Sequence, residues 1–375
     1  MPSSILFVHQ GYELYGSDRT LLQSVQAAVC RWPEARITVL LPSDGPLRMA
    51  LLAIVDDVRI ADLSVLRKSN FRSLNLPNVG GFLRNLLAAR RMIRAYEVTY
   101  INTVLILDYM LAASTLRRPC IVHVHEIPGG LAAAFLSVLL LLSHALVIFN
   151  SSATRRSFML PFWQRREVVW NGVAQPPEMP SAVSHSKLHL LLIGRFNSWK
   201  GQGLLLRAVA QLSPLLRARL SVRLVGGVFG DQAHFRDELV RTITALGLSE
   251  IVEILPFTPD PYPQYTWADV IVVPSTKPEP FGLVAIEAMA AGRSVIAANH
   301  GGLSEIVVGG VTGSFVVPGS VTSLAAAIAR SIEEPARIHA EGISGRKRFT
   351  AEFEESRYKL KIAHIIADMA GPAAT

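Results

Sequence analysis

Cysteine is scarce. Cys30 and Cys120 are the only two in 375 residues, too few for a disulfide framework, so the default compartment is a reducing cytoplasm. Several signatures are missing too. The sequence has no G-x4-G-K-[ST] phosphate loop, no G-x-G-x-x-G dinucleotide fingerprint, no G-x-S-x-G nucleophile elbow and no repeat of solenoid length. The start, MPSSILFVHQ, lacks the basic region and long apolar core of a secretory signal and reads as a first buried strand. Charge is sparse at 18% against 50% hydrophobic residues, which excludes a disordered chain and supplies ample core.

The charge that is present is uneven. Residues 1–175 carry 18 Lys and Arg against 11 Asp and Glu, a net +7; residues 176–375 carry 19 against 18, a net +1. Between Asp62 and Glu97 there is no acid, but there are seven bases: Arg67, Lys68, Arg72, Arg84, Arg90, Arg91 and Arg94. The stretch TRRSFMLPFWQRR, 154–166, sets four Arg among Phe158, Leu160, Phe162 and Trp163. Bases beside aromatics suit an anionic membrane surface, and Arg84, Arg90, Arg91, Arg94, Arg155, Arg156, Phe162 and Trp163 are the contact candidates. Solvated helix faces over ordinary core residues would give the same pattern. No recognised nucleic-acid motif accompanies the charge, so no nucleic-acid partner is expected.

The longest apolar run is LAAAFLSVLLLLSHALVIF, 131–149. Its length is at the lower end for a membrane span. Ser143-His144 divides it, and a short buried helix followed by a buried strand gives the same hydropathy.

Continuous apolar runs alternate with helical patterns from end to end. Strands are expected at Ile5–Val8, Ile37–Leu41, Thr99–Ile101, Cys120–Val124, Leu146–Phe149, His189–Ile193, Ser221–Val225, Val270–Val273 and Ser294–Ala298. Runs without polar alternation are strands buried on both faces of a parallel sheet, so the fold is doubly wound α/β with two sheets. The proline-rich, aperiodic AQPPEMPSAVSHSK, 174–187, is the boundary. The expected division is a domain 1–175, a linker 176–187, a second domain 188–349, and a C-terminal helix in 350–375 returning to the first domain. Ligands of such sheets bind beyond the carboxyl ends of the strands, in a cleft between two such domains.

The chemistry-bearing residues follow strands. KPEPFGLVAIEAMAAG, 277–292, puts Glu279 in a loop and Glu287 about one turn into an otherwise apolar helix. A lone buried carboxylate is costly unless it is paired, and a vicinal diol offers two donors to it. Gly282 would let the helix amino terminus approach a phosphate. The alternative is that Glu287 pairs with an arginine from the other domain and Glu279 is a solvated loop charge. GRFNSWKGQ, 194–202, offers Arg195 and Lys200, cations suited to a diphosphate or to an ordinary basic loop. HQGYELYGSDR, 9–19, has Gly11 and Gly16 bracketing a loop, with Ser17 and Asp18 able to cap a helix. CIVHVHEIPGG, 120–130, ends a strand in His123, His125 and Glu126. The two histidines share a face, and a hydrogen-bonding role is expected ahead of a metal. In ANHGGLSEIV, 298–307, Gly301 and Gly302 permit another close backbone approach, and Glu305 falls early in a helix.

PEPFGLVAIEAMAAGRSVIAANHGGLSEIV resembles the E-x7-E region of retaining GT-B glycosyltransferases, the family-4 (group 1) type, as do GRFNSWKGQ, NGV at 171–173, WADVIVVPS and TGSFVVPG. The resemblance is dense over about 187–320 and looser before 175. It implies a GT-B fold and transfer of a hexose, with retention, from a nucleoside-diphosphate sugar to a glycan or lipid-linked acceptor, as in cell-surface polysaccharide or glycolipid synthesis. It implies that Arg195 and Lys200 neutralise the diphosphate, that Glu279 holds the sugar and that Glu287 binds the ribose. Phe281, Gly282 and Leu283 would supply backbone amides, Gly16 would close over the diphosphate, and His125 would stand near the reacting carbon, a part His123 or Glu126 could take instead. The family normally uses no bound metal and no cofactor. The basic stretches beside aromatics point to peripheral placement on the inner face of a membrane. YELYGSDR in place of the usual Gly-Gly-x-Glu loop and Ser198-Trp199 in the basic loop are departures from the family pattern. An epimerase or a non-catalytic sugar-nucleotide-binding module on the same fold is the alternative.

Overall fold

The continuous apolar runs become the inner strands of two parallel sheets in the structure, a computed structural model that describes residues 1–66, 79–176, 186–228 and 234–371. The first sheet holds β1 (Ser4–Val8), β2 (Arg36–Leu41), β3 (Asp57–Ile60), β4 (Val98–Ile101), β5 (Cys120–Val124), β6 (Leu146–Phe149) and β7 (Arg166–Val168), in the order β3-β2-β1-β4-β5-β6-β7. The second holds β8 (Leu188–Ile193), β9 (Leu220–Val225), β10 (Val252–Leu255), β11 (Val270–Val273), β12 (Ser294–Ala298) and β13 (Gly313–Val316), in the order β10-β9-β8-β11-β12-β13. Both are doubly wound, Rossmann-like sheets, and helices cover both faces of the first. Its odd residues, such as Ile5 and Phe7, pack towards the helices Gly16–Arg31 and Glu355–Ala370. The even ones, such as Leu6 and Val8, pack towards Val79–Ala95, Leu107–Leu116 and Gly130–Leu142.

The chain divides into two units, Met1–Gly172 with Glu355–Thr375, and Val173–Glu354. It passes between them twice, at 172–173 and 354–355, and the two passages run together: the Val173 amide donates to the Phe353 carbonyl at 3.0 Å. The tail differs from expectation in one respect. Residues 350–352 finish the helix Pro335–Glu352, and the helix of the first unit starts at Glu355. Within that unit Tyr358, fully buried, lies with its hydroxyl 2.6 Å from Ser24 Oγ. Most of the expected linker, 177–185, lies outside the described residues, as do Arg67, Lys68 and Arg72.

The segment 131–149 is half as expected. Its strand, β6, is buried throughout. Its helix, Gly130–Leu142, is not: Leu131, Phe135, Val138 and Leu142 are exposed. Among the described residues no helix is long and apolar enough to cross a membrane.

Candidate functional site

Each sheet has one point where the winding reverses, between β1 and β4 in the first and between β8 and β11 in the second. Loops diverge there and leave room for a ligand.

In the second unit the two loops at that point carry the predicted residues. After β8, Asn197 Oδ1 accepts from the amides of Trp199 at 3.0 Å and Lys200 at 2.9 Å, a side-chain-closed turn that fixes where Lys200 starts. The Arg195 carbonyl accepts from Gln202 Nε2 at 3.0 Å, and the Arg195 side chain is half-buried. The Thr276 amide donates to the Trp199 carbonyl at 2.8 Å and joins this loop to the one after β11. Gly201 belongs at that junction: its φ is +88°, and a Cβ there would lie 2.5 Å from the Pro274 carbonyl oxygen.

Lys200 Nζ lies 2.8 Å from Glu279 Oε1, and the same oxygen accepts from Ser275 Oγ. Glu279 is 5% exposed, so it is not the solvated loop charge that spacing alone allowed. Burial of that carboxylate is offset by a cation and a hydroxyl. The backbone of Glu279 is held as well, because the Gly302 amide donates to its carbonyl at 2.8 Å. A Cβ on Gly301, φ +61°, would reach 2.4 Å from that carbonyl oxygen. The close approach foreseen at Gly301-Gly302 therefore serves the Glu279 loop. Glu305 lies in the short helix Leu303–Ile306.

Gly282, with φ +128°, precedes the helix Leu283–Ala290. Phe281 turns its ring into the core against Phe353. Glu287 is half-buried one turn into the helix and accepts from the Tyr265 hydroxyl at 2.6 Å. A tyrosine of its own unit is thus one of its partners. Tyr265 is in turn anchored by Arg293, whose Nε donates to the Tyr265 carbonyl at 3.1 Å. Ser275, two residues past β11, and Tyr265, inside the short helix Tyr262–Trp267, carry no signal in the sequence and look like ordinary framework.

The first unit gathers a polar chain at its own reversal point. Gly16 opens the helix Gly16–Arg31, whose amino-terminal cap is Tyr15. Asp18 caps that helix as expected, in a capping box with Tyr15. Its Oδ2 accepts from the amides of Glu13, Leu14 and Tyr15 at 3.1, 2.8 and 3.1 Å. Its Oδ1 lies 2.8 Å from Nε2 of the fully buried His9. Burial works against ionisation of Asp18, but His9 and the loop amides outweigh it and hold the carboxyl below its ordinary range.

Asn102 extends the chain. Its Nδ2 donates to the Ser17 carbonyl at 3.1 Å and lies 3.1 Å from His9 Nδ1. That fixes the amide orientation, so Oδ1 faces His125 Nε2 at 2.9 Å. The His125 proton is therefore on Nε2 and the lone pair on Nδ1. Burial first, then the neighbouring His123 and His9, pushes the His125 pKa well below its ordinary value, so the ring is neutral. The His123 ring lies tilted against it with centroids 4.1 Å apart, is held by the Tyr100 hydroxyl at 2.7 Å, and has its pKa pushed down to about 3 by burial. Glu126 accepts from Thr103 Oγ1 and the His125 amide; burial raises its pKa despite these bonds. Of the three residues left open after β5, only His125 is joined to the Gly16 loop by this chain. Among the described residues no cluster of three or more His, Cys, Asp or Glu is placed to hold a metal ion. His9 and Asn102 were missed, although each is the first polar residue after a buried strand, β1 and β4, at the reversal point.

Known proteins point the same way. Residues 179–348 match the model of the family described as glycosyl transferases group 1. A D-inositol 3-phosphate glycosyltransferase 1 of Catenulispora acidiphila is 40% identical over 165 residues, 42% of this chain and 39% of that protein. A D-inositol 3-phosphate glycosyltransferase of Frankia alni is 39% identical over 210 residues, 50% of each chain. The matches therefore span half or less of these curated relatives. The crystal structure of Anabaena HepE in complex with UDP-glucose superposes with a TM-score of 0.78 at 27% identity, covering 96% of this chain and 98% of that one. The fold is that of the GT-B glycosyltransferases.

Proposed function

We propose that this chain, whose residues 179–348 belong to the group 1 glycosyl transferases, moves a hexose with retention from a nucleoside-diphosphate sugar to a glycan or lipid-linked acceptor in cell-surface polysaccharide or glycolipid synthesis, at the inner face of a membrane. The observation that carries this reading is the gathering of Arg195, Lys200, Glu279 and Glu287 on the two loops and one helix at the reversal point of a single sheet. Two carboxylates suit the polyol ends of one ligand and two cations its charged middle. Lys200 and Arg195, with the amides at Gly282 and Leu283, would meet the charge that develops on the departing diphosphate, and no bound metal is required of such a site. Glu279 would take sugar hydroxyls and Glu287, steadied by Tyr265, the ribose. His125, neutral and oriented by Asn102, would stand near the reacting carbon, and Gly16 would approach the diphosphate. UDP-glucose in HepE makes a uridine donor the first to try, and the names of the curated relatives make a phosphorylated polyol an acceptor worth including.

The test is turnover of a panel of nucleotide sugars by purified protein, read as free nucleoside diphosphate, with and without EDTA. One donor should be consumed at least tenfold faster than the rest, EDTA should change the rate less than twofold, and the product anomer should match the donor. Release by none of the donors with any acceptor would overturn the proposal.

A further inference from the structure

We propose that the outer face of the helix Gly130–Leu142, together with the loop 159–163 beside it, is a docking surface for an anionic lipid bilayer. The helix carries no charged residue, and every exposed position on it is apolar or glycine. Leu131, Phe135, Val138 and Leu142 are 90, 43, 53 and 49% exposed, and their spacing lines them up as one stripe. The loop joins this stripe through the Met159 amide, which donates to Ser137 Oγ at 2.9 Å. It adds Met159, Phe162 and Trp163, which are 65, 86 and 66% exposed. The Phe162 and Trp163 rings meet edge to face at 5.0 Å. A contiguous exposed apolar patch of this kind marks a place where something else sits.

Charge decides between the occupants. From Ile127 to Arg166 there is no acid and there are four arginines, Arg155, Arg156, Arg165 and Arg166. Two copies of the chain joined through this face would set those arginines against each other. A bilayer with anionic headgroups would take the stripe in its acyl boundary, the aromatic pair at headgroup level and the arginines on phosphate. Thirteen residues of helix make about 20 Å, suited to lying in the surface and short of a span. Arg84, Arg91 and Arg94 are also exposed, and the helix that carries them packs on the same side of its sheet. The face begins four residues after Glu126, so a lipid held there would present its headgroup beside His125. Only this last step rests on the function proposed above.

Flotation of the full chain with vesicles of phosphatidylcholine alone, and with phosphatidylglycerol added, tests the surface. Binding should need phosphatidylglycerol. It should fall about tenfold or more in Phe135→Ser with Val138→Ser, and again in Phe162→Ser with Trp163→Ser, at unchanged thermal unfolding. These side chains are exposed, so the substitutions spare the core. No binding to phosphatidylglycerol vesicles, variants that bind like the parent, or a dimer in sedimentation that the variants dissolve would each overturn the inference. Vesicle binding without sugar-nucleotide turnover would sink the function above and leave the surface standing.

Discussion

Lys200 Nζ and Glu279 Oε1 are 2.8 Å apart, so the cation assigned to the diphosphate and the carboxylate assigned to the sugar hold each other. A donor must divide them. Glu279→Gln should therefore bind free nucleoside diphosphate at least as tightly as the parent, because Lys200 loses its competitor, while sugar transfer falls by about a hundredfold or more. In the absence of ligand the pair also stabilises the fold. Lys200→Met leaves a carboxylate whose side chain is 6% exposed with a hydroxyl and no cation, and should cost about 2 kcal/mol. Glu279→Gln should cost less, since the side chain of Lys200 is 20% exposed and can turn to water. Calorimetric binding and thermal unfolding of both variants and the double variant check this; a Lys200→Met protein as stable as the parent would refute the coupling.

Tyr265 donates to Glu287 at 2.6 Å. Tyr265→Phe keeps the ring and removes the hydroxyl. A hydrogen bond to a charged group contributes roughly 1.5–3 kcal/mol, so the donor KM should rise about tenfold while kcat stays within twofold. A change in kcat alone would place Tyr265 elsewhere in the reaction.

Asn102 fixes the proton of His125 on Nε2 through a 2.9 Å contact. Asn102→Asp would set a carboxylate there, and a nearby negative charge favours imidazolium. The depressed His125 pKa should climb towards its ordinary value, read by the pH dependence of the ring nitrogen shifts. Asn102→Leu should leave it depressed and lose the single tautomer. A His125 resonance indifferent to both changes would remove Asn102 from any positioning role.

His123 is held at a pKa of about 3 by burial. The folded state therefore resists a proton that the unfolded chain takes up near 6.5. The stability this contributes is present above about pH 6.5 and drains as pH falls from there towards 3, by roughly 2 kcal/mol at pH 5. His125, depressed for the same reason, adds in the same direction. Asp18 acts lower: its depressed pKa contributes stability above about 3.8 that is lost only as pH falls through the folded value. Denaturant unfolding at pH 7 and pH 5 should show the loss, and His123→Gln should reduce it. Equal stability at both pH values would count against neutral buried histidines.

Nine strands could be located from apolar runs alone, each within one residue of its place. The other four, β3, β7, β10 and β13, are the outermost strands of the two sheets. Asp57–Ile60 and Arg166–Val168 are short and half-exposed, so they carry no continuous apolar run. Local hydropathy registers only strands buried on both faces.

The same physics divides the site. Arg195, Lys200, Glu279 and Glu287 were legible because charge beside apolar strands and helices needs a reason. His9, Asn102, Ser275 and Tyr265 were not, because a polar residue after a strand, or a tyrosine in a short helix, is unremarkable until its partner is known. Those partners lie 9 to 93 residues away, or only four for Ser275 and Glu279 but across a loop whose course the sequence does not state. The sequence by itself determined the class of fold and the charges available to a ligand, since both follow from composition over short windows. Only the tertiary structure decided which charges meet, and that a helix read as buried keeps one apolar face outward. Strand order brings distant loops together, and burial belongs to the neighbours a segment acquires.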